Sequence, residues 1–355
     1  MLSTFANPNP NAEVGPSNTT ELEPRWALVI GVKKLMFHRF SGSERKIVYG
    51  VKFDGDTIKN LQGACDLAKH TGMTLRLVHV IEKWQEHLPG CYAPGSYFSS
   101  KFSAINEDSC IKDANAKFEE LKSMIDPDIK VEQKILFGSV SESLLCDAVS
   151  SQAALIMCAY RPMSDQFLPK GLSTALSLLS EASVPVLASP QGFKLDFDKK
   201  PFKIIACDSL LDDCSEAIST ACEFGMDIGN TNIIHLHIHQ KTPAEIAEWG
   251  EHVQSMMESY KLKIPSEFEI DNMMEQTRKK INYQLDQRIG MLKSIIPLKK
   301  SCEYAQQIRF GDLFEQFGAM ITNEDPDLIS FGKHKRFHRK TLAVGALTEM
   351  LLFLN

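Results

Sequence analysis

The chain repeats itself, and the repeat restricts its fold more than any other feature. Lys203-Ile204-Ile205 matches Lys46-Ile47-Val48 at an offset of 157, and the same offset aligns Ala221-Cys222 with Ala64-Cys65. Further on, Gln306, Ile308, Phe310 and Gly311 match Gln133, Ile135, Phe137 and Gly138 at an offset of 173, as Leu328-Ile329 match Leu155-Ile156. Two offsets, each constant over its own stretch, describe a tandem repeat with one insertion in the second copy. The step from 157 to 173 sizes that insertion at 16 residues and places it between Ile238 and Cys302. Pro243–Tyr260 there reads as an additional amphipathic helix, and a long polar helix from about Glu267 to Leu292 follows it.

Within each copy, strands and helices alternate. In the first, Lys46–Val51, Thr74–Glu82, Ile129–Leu136, Ala153–Ala159 and Val184–Leu187 have β composition. Thr57–His70, about Asn106–Met124, Ser139–Ser150 and Leu172–Leu179 have helical spacing, and a loop rich in Gly, Pro and Tyr spans roughly Lys83–Ser100. This alternation predicts an α/β chain of two tandem doubly wound parallel sheets with helices on both faces. The expected organisation is a disordered tail over residues 1–25, a β-run and linker over 26–45, a first domain over 46–192, a linker over 193–201 and a second domain over 202–355. The helical insertion of the second domain is expected at about 241–266.

The first copy ends on a strand, whereas the second stops at Phe353-Leu354-Asn355, where its last helix is expected to end. The seven residues Trp26–Val32 have β composition and no counterpart before Lys203. They are expected to supply the missing edge strand of the second sheet, since an open edge is an aggregation liability. The pairing could lie within one chain or across a homodimer; the alternative is that the run packs beside the first copy.

Composition narrows the class. With 43% hydrophobic and 24% charged residues the chain reads as a globular protein, and a net charge of -6 argues against a nucleic-acid partner. Nine cysteines, with no CxxC pair, suit packed thiols in a reducing compartment. No run of eighteen apolar residues favours a membrane span, and residues 1–24 lack the Lys or Arg of a signal peptide, so a cytoplasmic location is expected.

One stretch combines strand, glycine and charge. Leu328–Phe331 is a short apolar run, Gly332 ends it, Lys333–Lys340 is a basic loop, and Gly345-Ala346 opens the next helix. Backbone N–H groups and a helix dipole favour an anion in such a place. A solvated surface loop is the simpler reading of the same composition. His235, His237 and His239 alternate along a strand and share one face. Zinc ligation is conceivable, but packed or solvated histidines fit better, since no carboxylate or cysteine follows at ligand spacing.

Leu77–Glu82 (LVHVIE), Phe137–Leu145 (FGSVSESLL) and Ser183–Pro190 (SVPVLASP), with the order of elements, resemble the universal stress protein family in a tandem arrangement. The resemblance covers about 46–191 and 202–355. It implies a Rossmann-like fold, and a nucleotide site in those members that carry a glycine, two residues, a glycine, nine residues, then glycine with Ser or Thr. The first copy has Ala159, Pro162, Leu172 and Ser173 there, with Gly171 one place off; the second has Gly332, Lys335, Gly345 and Ala346. The family's aspartate at the end of the first strand, near adenine and ribose, is matched by Asp208; the first copy has Val51, or Lys52 if the frame slips by one.

The resemblance thus implies a stress-response or regulatory protein that binds ATP, another adenine nucleotide or another phosphorylated ligand in its second domain. The expected site is Asp208, Gly332, Lys333, Lys335, Arg336, Gly345 and Ala346. No metal is expected beyond nucleotide-bound Mg, and catalysis is at most slow ATP hydrolysis. The other reading is a non-binding tandem scaffold that presents surfaces to a protein partner.

Overall fold

A computed structural model gives the fold and describes residues 27–30, 44–53, 55–82, 97–159, 174–190, 192–197, 201–210, 216–262, 273–295 and 302–332. The first copy contains β2 (Lys46–Gly50), α1 (Gly55–Thr71), β3 (Thr74–Ile81), α2 (Tyr97–Ser123), β4 (Val131–Phe137), α3 (Val140–Ser150), β5 (Leu155–Ala159), α4 (Thr174–Glu181) and β6 (Val186–Ser189). The second contains β7 (Phe202–Cys207), α5 (Glu216–Ile228), β8 (Thr231–His239), α6 (Pro243–Ser259), α7 (Met273–Ile295), β9 (Cys302–Phe310), α8 (Leu313–Glu324) and β10 (Leu328–Phe331). Ahead of both stands β1 (Ala27–Ile30). One helix start differs from the sequence expectation, since α2 begins earlier than Asn106; the expected start of α7 near Glu267 lies outside the described residues. The expected last helix lies outside the described residues.

Each copy is doubly wound. The first half has the parallel order β4-β3-β2-β5-β6, and β9-β8-β7-β10 repeats it in the second. Strands buried on both faces explain the near-continuous apolar runs. Successive residues serve opposite faces: Ile47 belongs to the core cluster that contains Leu67, Phe118 and Phe224, whereas Val48 belongs to the one that contains Leu144, Leu178 and Phe317. Helices α1, α2, α5 and α7 thus cover one face, and α3, α4 and α8 the other. Both clusters draw residues from the two copies, so the halves share one interior.

β1 joins them. It lies parallel to β10, in the fifth-strand position of the second copy, and antiparallel to β6 of the first. The edge strand expected from Trp26–Val32 is therefore supplied within one chain, by Ala27–Ile30. Its other edge also closes on the first copy, so the alternative placement is realised at the same time and ten strands form one sheet. By register, Ile156 pairs with Val186 and Ile329 with Leu28, so β1 and β6 are equivalent. Leu28 faces Ala188, Ile30 faces Val186, and Val29 faces Leu187. Exchanging equivalents turns the first pair into the second and leaves the third unchanged. The junction therefore has the isologous character of a two-fold dimer interface inside one polypeptide.

The two copies agree in backbone detail. The N–H of Val51 donates to the Val78 carbonyl at 2.8 Å, and that of Asp208 to the Leu236 carbonyl at 2.9 Å. His79 Nδ1 and His237 Nδ1 each donate at 2.8 Å to the carbonyls of Val51 and Asp208. Phe53 and Leu210, two residues further on, share the same left-handed φ of 58°. Val51 is thus the structural counterpart of Asp208, and the frame does not slip to Lys52.

Candidate functional site

Strand order reverses between β7 and β10, and open α/β sheets bind ligands outside the strand ends at such a reversal. Phe331 pairs with Cys207, which sets Gly332 beside Asp208 at the carboxyl ends of these strands. The two expected site residues that the structure describes are therefore neighbours. Lys333, Lys335, Arg336, Gly345 and Ala346 lie outside the described residues.

The Asp208 carboxylate is fully buried and already engaged. Arg288 Nη1, from α7, donates to both carboxylate oxygens at 2.8 and 2.9 Å. His235 Nε2 lies 3.1 Å from Oδ2, and the Leu210 N–H donates to Oδ1 at 2.8 Å. Burial would raise the carboxyl pKa, but the His235 hydrogen bond, the Leu210 N–H and the Arg288 charge outweigh it and hold the group below its ordinary value. The Leu210 N–H contact closes the turn after β7, where Leu210 holds its left-handed φ.

The network continues away from the strand ends. His235 Nδ1 lies 2.9 Å from the Tyr304 hydroxyl, and Gln306 Nε2 donates to that hydroxyl at 3.2 Å and to Asp286 at 2.9 Å. The tautomer that satisfies every atom donates from Nε2 to Asp208 and accepts at Nδ1 from Tyr304. Desolvation pushes the Tyr304 hydroxyl pKa upward. His237 is held the other way round: its Nδ1–H meets the Asp208 carbonyl, leaving the lone pair on Nε2, and desolvation lowers its pKa. His235 and His237 are thus packed, hydrogen-bonded residues.

The first copy has no such network. Val51 stands for Asp208, Leu77 for His235 and Val131 for Tyr304, as the strand pairings show. Asn115 bonds Gln133 as Asp286 bonds Gln306, which makes Lys117 the counterpart of Arg288. Lys117 instead sits 5.5 Å over the Phe53 ring. That ring packs at 4.5 Å against His79 and 5.0 Å against Phe118, filling the space beyond Val51.

On the other flank of β7, towards β8, a cavity of about 400 Å³ opens over the strand ends. Its floor is Leu210, His237 and His239, and its walls come from the inserted helix α6 and from α7. Sequence reasoning missed both this cavity and Arg288. The available signal was an arginine inside the apolar stripe Ile281, Leu285, Ile289 and Leu292 of a helix expected to be polar.

No protein-family model and no curated protein sequence matches this chain. Solved structures do. A universal stress protein from Archaeoglobus fulgidus DSM 4304 is 15% identical, with 86% of this chain and 94% of that one covered and a TM-score of 0.48. The universal stress protein UspA from Lactobacillus plantarum is 13% identical over 42% of this chain and 99% of its own length, with a TM-score of 0.33. A universal stress protein in complex with cAMP is 13% identical over 32% of this chain and 71% of its own, with a TM-score of 0.20. The repeat read from the sequence and the strand order shared by the two halves make the chain a tandem pair of doubly wound α/β units.

Proposed function

We propose that the chain is a stress-response or regulatory protein whose second half binds an adenine nucleotide or another phosphorylated ligand, while its first half does not. The supporting observation is the placement of Gly332 beside Asp208 at the strand-order reversal, against a first half closed by Val51 and Phe53. Glycine lets a phosphate approach the backbone. Lys333, Lys335 and Arg336 would meet its charge, and the helix opened by Gly345 and Ala346 would offer N–H groups. Asp208 shapes the β7 turn and contacts ribose only if Arg288 releases it. ATP turnover, if any, stays under about 1 s⁻¹, because Ala346 lacks the hydroxyl that would meet phosphate or Mg.

The occupied Asp208 also favours the second reading, a scaffold that binds no nucleotide. A homodimer in either case must use surfaces other than the β1 and β6 edges, which are consumed by each other. A thermal-shift panel of ATP, ADP, AMP, cAMP and inorganic phosphate decides. A ligand at one hundred times its Kd stabilises the native state by about 2.7 kcal/mol. Lys335→Glu with Arg336→Glu should abolish that shift. If no nucleotide shifts the wild type, the scaffold reading stands.

A further inference from the structure

We propose that the open edge of β9 is a self-association surface, on which a second molecule of this chain adds its own β9 antiparallel to make one continuous sheet. Strand order leaves β4 and β9 at the two ends of the ten-stranded sheet, and among the described residues neither has a strand on its outer side. β9 is nine residues long, and none of them is buried. A long edge of this kind presents unpaired N–H and C=O groups and is a template for another strand.

The backbone decides which residues face outward. The Gly311 N–H donates to the His239 carbonyl at 3.0 Å, so odd-numbered residues of this run turn their backbone groups to β8. Even-numbered residues, from Cys302 to Phe310, hold theirs at the open edge. An antiparallel strand centred on Gln306 pairs Gln306 with Gln306, Tyr304 with Ile308 and Cys302 with Phe310, so every outward residue meets an outward residue. The odd-numbered residues fall between them as non-hydrogen-bonded pairs, with Cα atoms about 4.5 Å apart. In that register Glu303 faces Arg309 of the second molecule, and Arg309 faces its Glu303. Among the described residues neither forms an ion pair, and Arg309 reaches only the Gln307 side chain, at 3.5 Å. Opposite charges directly across two strands attract, and here two such pairs flank the axis of an isologous contact.

The helix over this edge suits the same axis. Gln306 Nε2 donates to Asp286 Oδ1 at 2.9 Å, so the axis passes beside Asp286 on α7. Tyr283 and Gly290 lie one turn before and one turn after Asp286, on the same side of the helix. About the axis, Tyr283, 64% exposed, comes opposite Gly290 of the second molecule, where the space for a Cβ is open. The other edge of the sheet is not equivalent. An axis through Gln133 of β4 would set Glu132 against Lys134 of the second molecule, but Glu132 already binds Lys46 at 2.9 Å and Arg76 at 2.8 Å.

Sedimentation velocity of the full chain across a dilution series should show a reversible monomer–dimer equilibrium and nothing larger. Arg309→Glu sets like charges against each other on both sides of the axis and should weaken association by about tenfold or more, as should Glu303→Arg. Mixing these two variants should restore a dimer with one molecule of each, because the facing charges are again opposite. Gln306→Pro removes an N–H that points away from β8, which an edge strand tolerates, and should abolish the dimer with the circular dichroism spectrum unchanged. If Gln306→Pro does not fold, the charge variants still decide. A chain that is monomeric at every concentration, a dimer unmoved by either charge change, or a mixture that stays monomeric would overturn the proposal. Growth past the dimer would mean β4 pairing with β9 in a head-to-tail contact that does not close, and would overturn it as well. No nucleotide takes part, so failure of the nucleotide reading leaves the equilibrium where it is.

Discussion

Val51 and Asp208 occupy one place in two copies of a single frame, and they solve it in opposite ways. Around Val51 the neighbours are Leu77, Val131 and the Phe53 ring, and closure is by packing. Around Asp208 they are His235, Tyr304 and Arg288, and closure is by hydrogen bonds. The backbone is the same to the level of single carbonyl contacts and a shared left-handed residue. Polar closure therefore does not follow from the fold. It is a property of four side chains, and it can be broken or transplanted.

Breaking it should have the largest effect. Arg288→Ala leaves a buried carboxylate without its cation, and removing one member of a buried ion pair costs about 3–5 kcal/mol. Val51→Asp should cost a similar amount for the same reason, since Lys117 is engaged with Phe53 rather than poised over Val51. Both are read from urea unfolding midpoints. Converting the second site to the first, with Asp208→Val, His235→Leu and Arg288→Met together, should be neutral or stabilising by about 1–4 kcal/mol. If the triple variant is instead as unstable as Arg288→Ala, the network is structural in a way the first copy does not need.

Next in size is the junction between the halves. Val29 faces Leu187 at the centre of the internal two-fold and is paired on both sides through β1. Val29→Pro removes a ladder donor in a strand that has no free edge. It should lower stability by about 1–3 kcal/mol and split one calorimetric transition into two, as each half loses its partner. A single unshifted transition would mean that the shared core, not β1, couples the halves.

Much of this was legible before any coordinates. Offsets of 157 and 173 located the repeat because strands in the sheet cannot gain or lose residues without changing register. β1 was legible because a parallel unit that lacks its fifth strand needs one from elsewhere. Its closure on the first copy stood only as the alternative, since a short run of β composition carries no mark of which neighbours it takes, or that it takes both. Asp208 was found through the family resemblance, which implies an aspartate at the end of the first strand. Its partner was not, because Arg288 lies 80 residues away on a helix whose register against the sheet is set by packing. The cavity was invisible for the same reason.

A smaller effect depends on pH. Glu223 and Asp227 lie one turn apart on α5, near Arg45. Burial pushes the Glu223 pKa up from 4.5 to about 7; the Arg45 charge opposes this and Asp227 adds to it. The folded carboxyl thus keeps a proton that the unfolded one releases near 4.5. The native state binds more protons in that window, so stability falls as pH rises through it and levels off above about 7. Glu223→Gln should flatten the slope and raise Tm by about 2–4 °C at pH 8. The first copy has Asp66 at the position of Glu223, partly buried and accepting a hydrogen bond from Gln62 four residues earlier.

The smallest effect tests the shared turn. Phe53 and Leu210 both hold a φ of 58°, which costs a non-glycine residue about 1–2 kcal/mol. Glycine relieves that strain and deletes the side chain, so the net result depends on what the side chain does. Leu210 only lines the open cavity, and Leu210→Gly should fall within about 1 kcal/mol of wild type, on either side of zero. Phe53 packs against His79, Phe118 and Lys117, so Phe53→Gly should be the more destabilising of the two. The first copy should then gain a space like the one the second has already. A Leu210→Gly loss equal to that of Phe53→Gly would mean that Leu210 is packed as tightly as Phe53, and that the two copies are closed at this turn in the same way.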